Sequence, residues 1–181
     1  MKSVLISVQP HWCQKITHII GRKGTKPIYE KSVEIRKTRP KINTPFKVYI
    51  YETKGRLQRL FHTCYDYEGK GKVIGEFVCD EIIPIRVFEN GSIQDYMYHS
   101  MEGSCVPYDE ISEYIGKGRI GYGWHISDLV IYDKPKELSE FRYYNPTVKL
   151  ENGYPIPTHE IKRPPQSWCY VDHPTEKGGA E

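Results

Sequence analysis

Lys31-Ser32-Val33-Glu34-Ile35-Arg36 is the stretch on which the fold of this chain turns. Val33 and Ile35 alternate with Ser32, Glu34 and Arg36, the period-2 pattern of a strand with one apolar and one polar face. Side chains two apart on such a strand stand about 7 Å from one another, so Glu34 and Arg36 share the polar face. Lys31 has the parity of Val33. It joins the polar pair only where loop becomes strand or where a bulge rotates it.

Outward from this strand, short apolar runs alternate with turn residues. Residues 3–8 read as a first strand. Pro10 opens a helix, with Trp12, Ile16, Ile19 and Ile20 at helical spacing and Gly21 as its stop. Residues 21–30 follow as a basic loop. Phe46 to Tyr51 is a further strand, and Val73 to Ile85 a central one with a bulge at Gly75 and a turn near Pro84. Arg86 to Phe88 then forms an edge strand. Asp109 caps a short helical turn that ends before Gly116. Gly121 to Ile126 leads into a core strand at Leu129 to Tyr132, with Leu138 and Phe141 packed nearby, and Trp168 to Val171 is the last strand. Such a succession predicts a mixed α/β, β-rich domain built on a small curved sheet or barrel. Residues 1–171 are expected to form one domain, with an extended loop near 54–72 and an irregular segment at 143–165. Residues 172–181 are expected to be a flexible tail.

Several classes are set aside. No run approaches the ~18 apolar residues of a membrane span, and the N-terminus lacks the apolar core of a signal peptide. The cysteines (Cys13, Cys64, Cys79, Cys105, Cys169) are odd in number and never form Cys-x-x-Cys, which argues against a disulfide framework or structural zinc. A reducing, cytoplasmic setting is expected. The histidines match no metal spacing. The 21–30 segment lacks the Lys-Ser/Thr ending of a P-loop. Neither metal nor cofactor is expected.

Charge is uneven. Residues 1–50 hold eleven Lys/Arg against two Glu, a balance of +9, while the rest hold fifteen against twenty-one acids, a balance of −6. A basic N-terminal third permits a phosphate-facing surface, as does an ordinary solvated loop with acids folded nearby. Lys31, Glu34 and Arg36 are the strongest polar group. Lysine and arginine neutralise a phosphate or orient a carbonyl, and glutamate accepts from an exocyclic amine or moves a proton. The competing reading is a surface ion-pair network. Lys26, Lys37 and Arg39 add cations, and Tyr122 and Trp124 are candidate stacking surfaces for a base.

These segments together resemble the ASCH family, within the PUA-like superfamily of small barrels. The resemblance rests on the opening strand with Pro10-x-Trp12 and on Lys31-Ser32-Val33-Glu34-Ile35-Arg36-Lys37, which is similar to a Gly-x-Lys-x-x-Glu-x-Arg signature. Gly71 to Phe77, Trp124 to Ser127 and Arg163 to Trp168 support it. It implies a mostly antiparallel β-barrel flanked by short helices, with Lys31, Glu34 and Arg36 lining a cleft. It also implies binding of RNA, a single-stranded nucleic acid or a modified nucleoside. One branch of the family hydrolyses the acetyl amide of N4-acetylcytidine. In that reading Lys31 and Glu34 are catalytic, with a further glutamate, Glu113 or Glu110, from a short helix. Two departures stand out: Tyr29 occupies the signature glycine's place, and Glu34 stands where the hydrolase branch has threonine. Three readings follow, in order: a nucleic-acid or nucleoside binding module through Lys31, Glu34, Arg36, Lys37, Arg39, Lys26, Trp124 and Tyr122; an amidohydrolase; and a protein-interaction accessory. No membrane partner is expected, and the chain is expected to be a monomer or weak dimer.

Overall fold

The computed structural model describes residues 2–55, 68–94, 101–144 and 159–172. Parts of three expectations therefore lie outside the described residues: the interior of the 54–72 loop, most of the 143–165 segment, and the tail beyond Asp172.

The chain begins with β1 (Lys2–Val8) and α1 (Pro10–Thr17), followed by the hairpin of β2 (Ile19–Lys23) and β3 (Lys26–Tyr29). Next come β4 (Val33–Arg36), β5 (Phe46–Glu52), β6 (Lys72–Cys79), β7 (Ile82–Val87) and the two-residue β8 (Ile93–Gln94). A second helix, α2 (Tyr108–Ile115), precedes β9 (Ile120–His125), β10 (Ser127–Lys136) and β11 (Trp168–Asp172). Hydrogen bonding gathers the strands into a five-stranded sheet ordered β10-β6-β5-β1-β11, a four-stranded sheet ordered β4-β9-β7-β8, and the separate β2-β3 hairpin. All pairings are antiparallel except β1 with β5. The architecture is β-rich as expected, but among the described residues no sheet closes into a barrel.

Both faces of the large sheet are covered. Val4, Ile6 and Val8 pack with Cys13 and Ile16 of α1, Phe77 and Trp124, while Leu5 faces the other way toward Tyr49, Phe141 and Val171. Burial on both sides explains why β1 reads as a continuous apolar run around Val4-Leu5-Ile6. The small sheet has its own core. Val33 and Ile35 of β4 meet Ile85, Val87, Met101 and the α2 residues Ile111 and Ile115.

Several local expectations are corrected. The helix that starts at Pro10 ends at Thr17, not at Gly21; Ile19 and Ile20 lie in β2 and are exposed. β-branched side chains favour the strand over continuation of a short helix. The 21–30 segment is consequently a hairpin arm that turns at Gly24, where φ is +63°. The run Val73 to Ile85 is two strands broken at Asp80-Glu81. Gly75 does accompany a register shift, and a Cβ there would stand 2.5 Å from Val130 O. β10 is an edge strand rather than a core strand, with Val130 exposed. α2 begins at Tyr108, so Asp109 lies in its first turn, where its charge still favours the helix.

Candidate functional site

β4 places the site. Its apolar face is committed to the core of the small sheet, which turns Glu34 and Arg36 toward the gap between that sheet, β1 and α1. Lys31 does not obey the parity of the strand because it precedes it. The Lys31 amide donates to Lys15 O, and the amides of Ser32 and Val33 both donate to Gly103 O. The backbone turns there, and ladder geometry begins only at Val33. Loop geometry thus brings Lys31 to the polar face.

The three side chains form a continuous buried chain. Lys31 Nζ lies 3.4 Å from Glu34 Oε2, and Glu34 Oε1 lies 2.8 Å from Arg36 Nη2. Lys31 is 1% exposed, Glu34 7% and Arg36 5%, so this is no surface ion-pair network. Other contacts hold the cations in place. Lys31 Nζ donates to Ser104 O at 2.5 Å and stands 5.1 Å from the Trp12 ring centroid. Arg36 Nη2 donates to Ser7 O at 3.0 Å and Nη1 to Ser167 O at 3.3 Å. Burial pushes the Lys31 ammonium below its ordinary pKa, with Glu34 opposing the shift.

The chain lines a cleft of about 420 Å³ between β1, α1, β4 and α2. Trp12 stands on one wall, Tyr114 and Glu110 of α2 on another, and Gln166 at the lip. Burial raises the Tyr114 phenol, which keeps it a neutral hydrogen-bonding group at ordinary pH. Glu113 is exposed and is not part of the cleft wall. The helical turn that directs Ile111 inward sends Glu113 away from it.

The remaining candidates separate. Lys37 lies over the Tyr114 ring at 4.9 Å and Arg39 over the half-buried Tyr122 ring at 5.9 Å, both just beyond β4. Lys26 belongs to the β2-β3 hairpin, 4.0 Å from Asp128, and lines a different cavity of about 510 Å³. Trp124 is corrected outright. It is fully buried, with Phe46 and Trp168 ring centroids 5.8 and 6.2 Å away, and offers no face to a base. A Trp that follows closely spaced glycines on a strand (Gly121, Gly123) signals close packing as readily as an open platform. Sequence reasoning assigned Trp12 to the core and passed over Gln166. The only signal for Gln166 was its place before Trp168, in a segment that β11 carries back to β1. Among the described residues, no group of three or more His, Cys, Asp or Glu is placed to hold a metal ion.

No protein-family model matches the chain, and no curated protein matches it. Among solved structures, the crystal structure of ASCH from Zymomonas mobilis matches with a TM-score of 0.54 at 15% identity, covering 94% of this chain and 87% of that one. Agreement over nearly the whole of both chains gives this protein an ASCH-like fold, and at 15% identity the likeness is one of fold alone.

Proposed function

We propose that the cleft binds a nucleobase or nucleoside, free or within RNA, and that Lys31, Glu34 and Arg36 recognise its polar edge. The buried Lys31–Glu34–Arg36 chain inside an open cleft carries this reading. A volume of about 420 Å³ is in the range of small-molecule sites, which bury most of a ligand against apolar walls and fix it with few polar groups. Trp12 and Tyr114 supply ring surface. The Glu34 carboxylate retains lone pairs beyond those used by its two cations and accepts from an exocyclic amine. Lys31 and Arg36 then meet carbonyl oxygens. Calorimetric titration with cytidine, N4-acetylcytidine, guanosine and adenosine tests the reading. At least one should bind, and Glu34→Gln should weaken it about tenfold or more, as loss of a charged hydrogen-bond partner does. Absence of binding to all four, with the protein folded by circular dichroism, overturns it.

The lowered Lys31 pKa favours a second reading, hydrolysis of an acylated nucleoside. A neutral amine in the cleft can act as base or nucleophile. Water would add to the acyl carbon and the amide C–N bond would break, releasing acetate and the free amine, with Glu110 near enough to the cleft to carry a proton. Incubation with N4-acetylcytidine and chromatography for cytidine and acetate decides it. Turnover that survives Lys31→Met removes Lys31 from the chemistry.

A further inference from the structure

The two edges of the large sheet end differently. Beside β11, the Tyr144 amide donates to Tyr170 O and the Asp172 amide to Arg142 O, so the chain's own residues 142–144 cap that edge. Beside β10, among the described residues, residues 128–136 have no backbone partner outside β6. The second half of this open edge carries Lys134, Pro135 and Lys136, residue types that keep a free edge from pairing. Its first half is Leu129-Val130-Ile131, which has no such blocker, and Val130 is 51% exposed.

Leu129 and Val130 form one bank of the groove of about 510 Å³, and Pro27, Ile28 and Tyr29 of the β2-β3 hairpin form the other. The banks are joined where the Ile126 amide donates to Ser32 O, and Lys26 reaches across to Asp128 at 4.0 Å, an exposed pair that adds little. The hairpin tip gives the groove its charge preference. Lys23 and Lys26 stand directly opposite each other in the β2-β3 register, with Arg22 alongside. Like charges so placed repel. Neither Arg22 nor Lys23 has a carboxylate within 4.0 Å among the described residues. A carboxylate brought from outside relieves that repulsion.

We propose that this groove docks an extended segment of a partner protein, with apolar side chains at alternate positions and Asp or Glu at one end. The segment adds a strand to the large sheet beside β10. Its apolar side chains lie against Leu129, Val130, Pro27 and Ile28, and its carboxylates meet Lys23, Lys26 and Arg22. Pro27 has no amide hydrogen to give, so β10 and not β3 supplies the backbone pairing. Lys134 to Lys136 limit the added strand to about five residues, at about 3.4 Å each. This docking does not depend on what the cleft binds.

Panning a phage-displayed library of random octapeptides against the full chain tests it, with Val130→Lys as the counter-selection. Peptides that alternate apolar and polar residues and carry Asp or Glu at one end should be enriched. Their synthetic versions should bind Val130→Lys about tenfold more weakly or worse, as loss of an interface anchor does. N-methylation of one of two adjacent central amides should abolish binding and of the other leave it, because only alternate amides of an added strand face β10. Panning against K23E/K26E should instead enrich peptides ending in Lys or Arg. No enrichment over Val130→Lys, with both proteins folded by circular dichroism, overturns the proposal. So does equal tolerance of the two N-methyl groups, which carries the test alone if Val130→Lys does not fold. A polyglutamate peptide that binds as well as the selected ones reduces the groove to a patch of charge and also overturns it.

Discussion

Two acidic residues lie within the first fifty, Glu30 and Glu34, and each holds two cations in a different setting. Glu30 is bound by Lys15 at 2.5 Å and His18 at 2.9 Å, with all three side chains more than a quarter exposed. Glu34 is bound by Lys31 and Arg36 with every member below a tenth exposed. The residue types are almost the same and their physics is not. Around Glu30, water screens the charges and competes for them, so the cluster contributes little to stability. Around Glu34 the charges have lost water, and each depends on its neighbours to offset that loss. A network that is costly to bury yet opens onto a cleft fits the ligand-binding role proposed for it.

The largest test of this contrast is truncation. Glu34→Ala should destabilise the fold by about 3–5 kcal/mol in urea unfolding, because it leaves two buried cations without their carboxylate. Glu30→Ala should cost less than about 1 kcal/mol. Equal losses would erase the distinction between the clusters. Replacing the whole buried network sharpens it. Lys31→Met with Glu34→Leu and Arg36→Met should be neutral or stabilising by about 1–4 kcal/mol, while ligand binding disappears. A loss as large as that of Glu34→Ala would mean that the network supports the fold.

Next is pH. Lys31 has a folded pKa below its unfolded value, so between the two the unfolded state binds the extra proton. Its contribution to stability therefore rises with pH from the lowered folded value up to about 10.4 and is flat above. Several tyrosines are shifted upward by burial and pull the other way at the alkaline end. The difference between wild type and Lys31→Met isolates the lysine: that difference should shift in favour of wild type as pH rises. The smallest effect belongs to Glu30, whose carboxyl is held below its ordinary value first by the Lys15 hydrogen bond and then by His18. Its contribution is present above about pH 4.3 and fades as pH falls through the lowered value, so Glu30→Gln should slightly flatten acid unfolding.

Local patterns carried much of the fold. Alternation in Val33 to Arg36 and Phe46 to Tyr51 marked two strands, Pro10 marked the start of α1, and Gly116 marked the end of α2. The errors fell where local signals compete. Ile19 and Ile20 fit a helical stripe and a strand equally by spacing, and their exposure follows from the hairpin having no sheet to cover it. Trp124 taken alone reads more readily as a core or rim residue than as a platform, and its packing against Phe46 and Trp168 puts it in the core.

By itself, then, the sequence determined that β4 has a polar face bearing Glu34 and Arg36, since period-2 geometry is a property of the backbone. Burial of that face, and the position of Lys31 upon it, were decided by tertiary structure. Lys31 arrives through hydrogen bonds from its loop to Lys15 and Gly103, and Arg36 is held by Ser7 and Ser167 from opposite ends of the chain. Such contacts join residues far apart in sequence, and burial depends on what else the fold brings to the same place; neither is written in the spacing of a single segment.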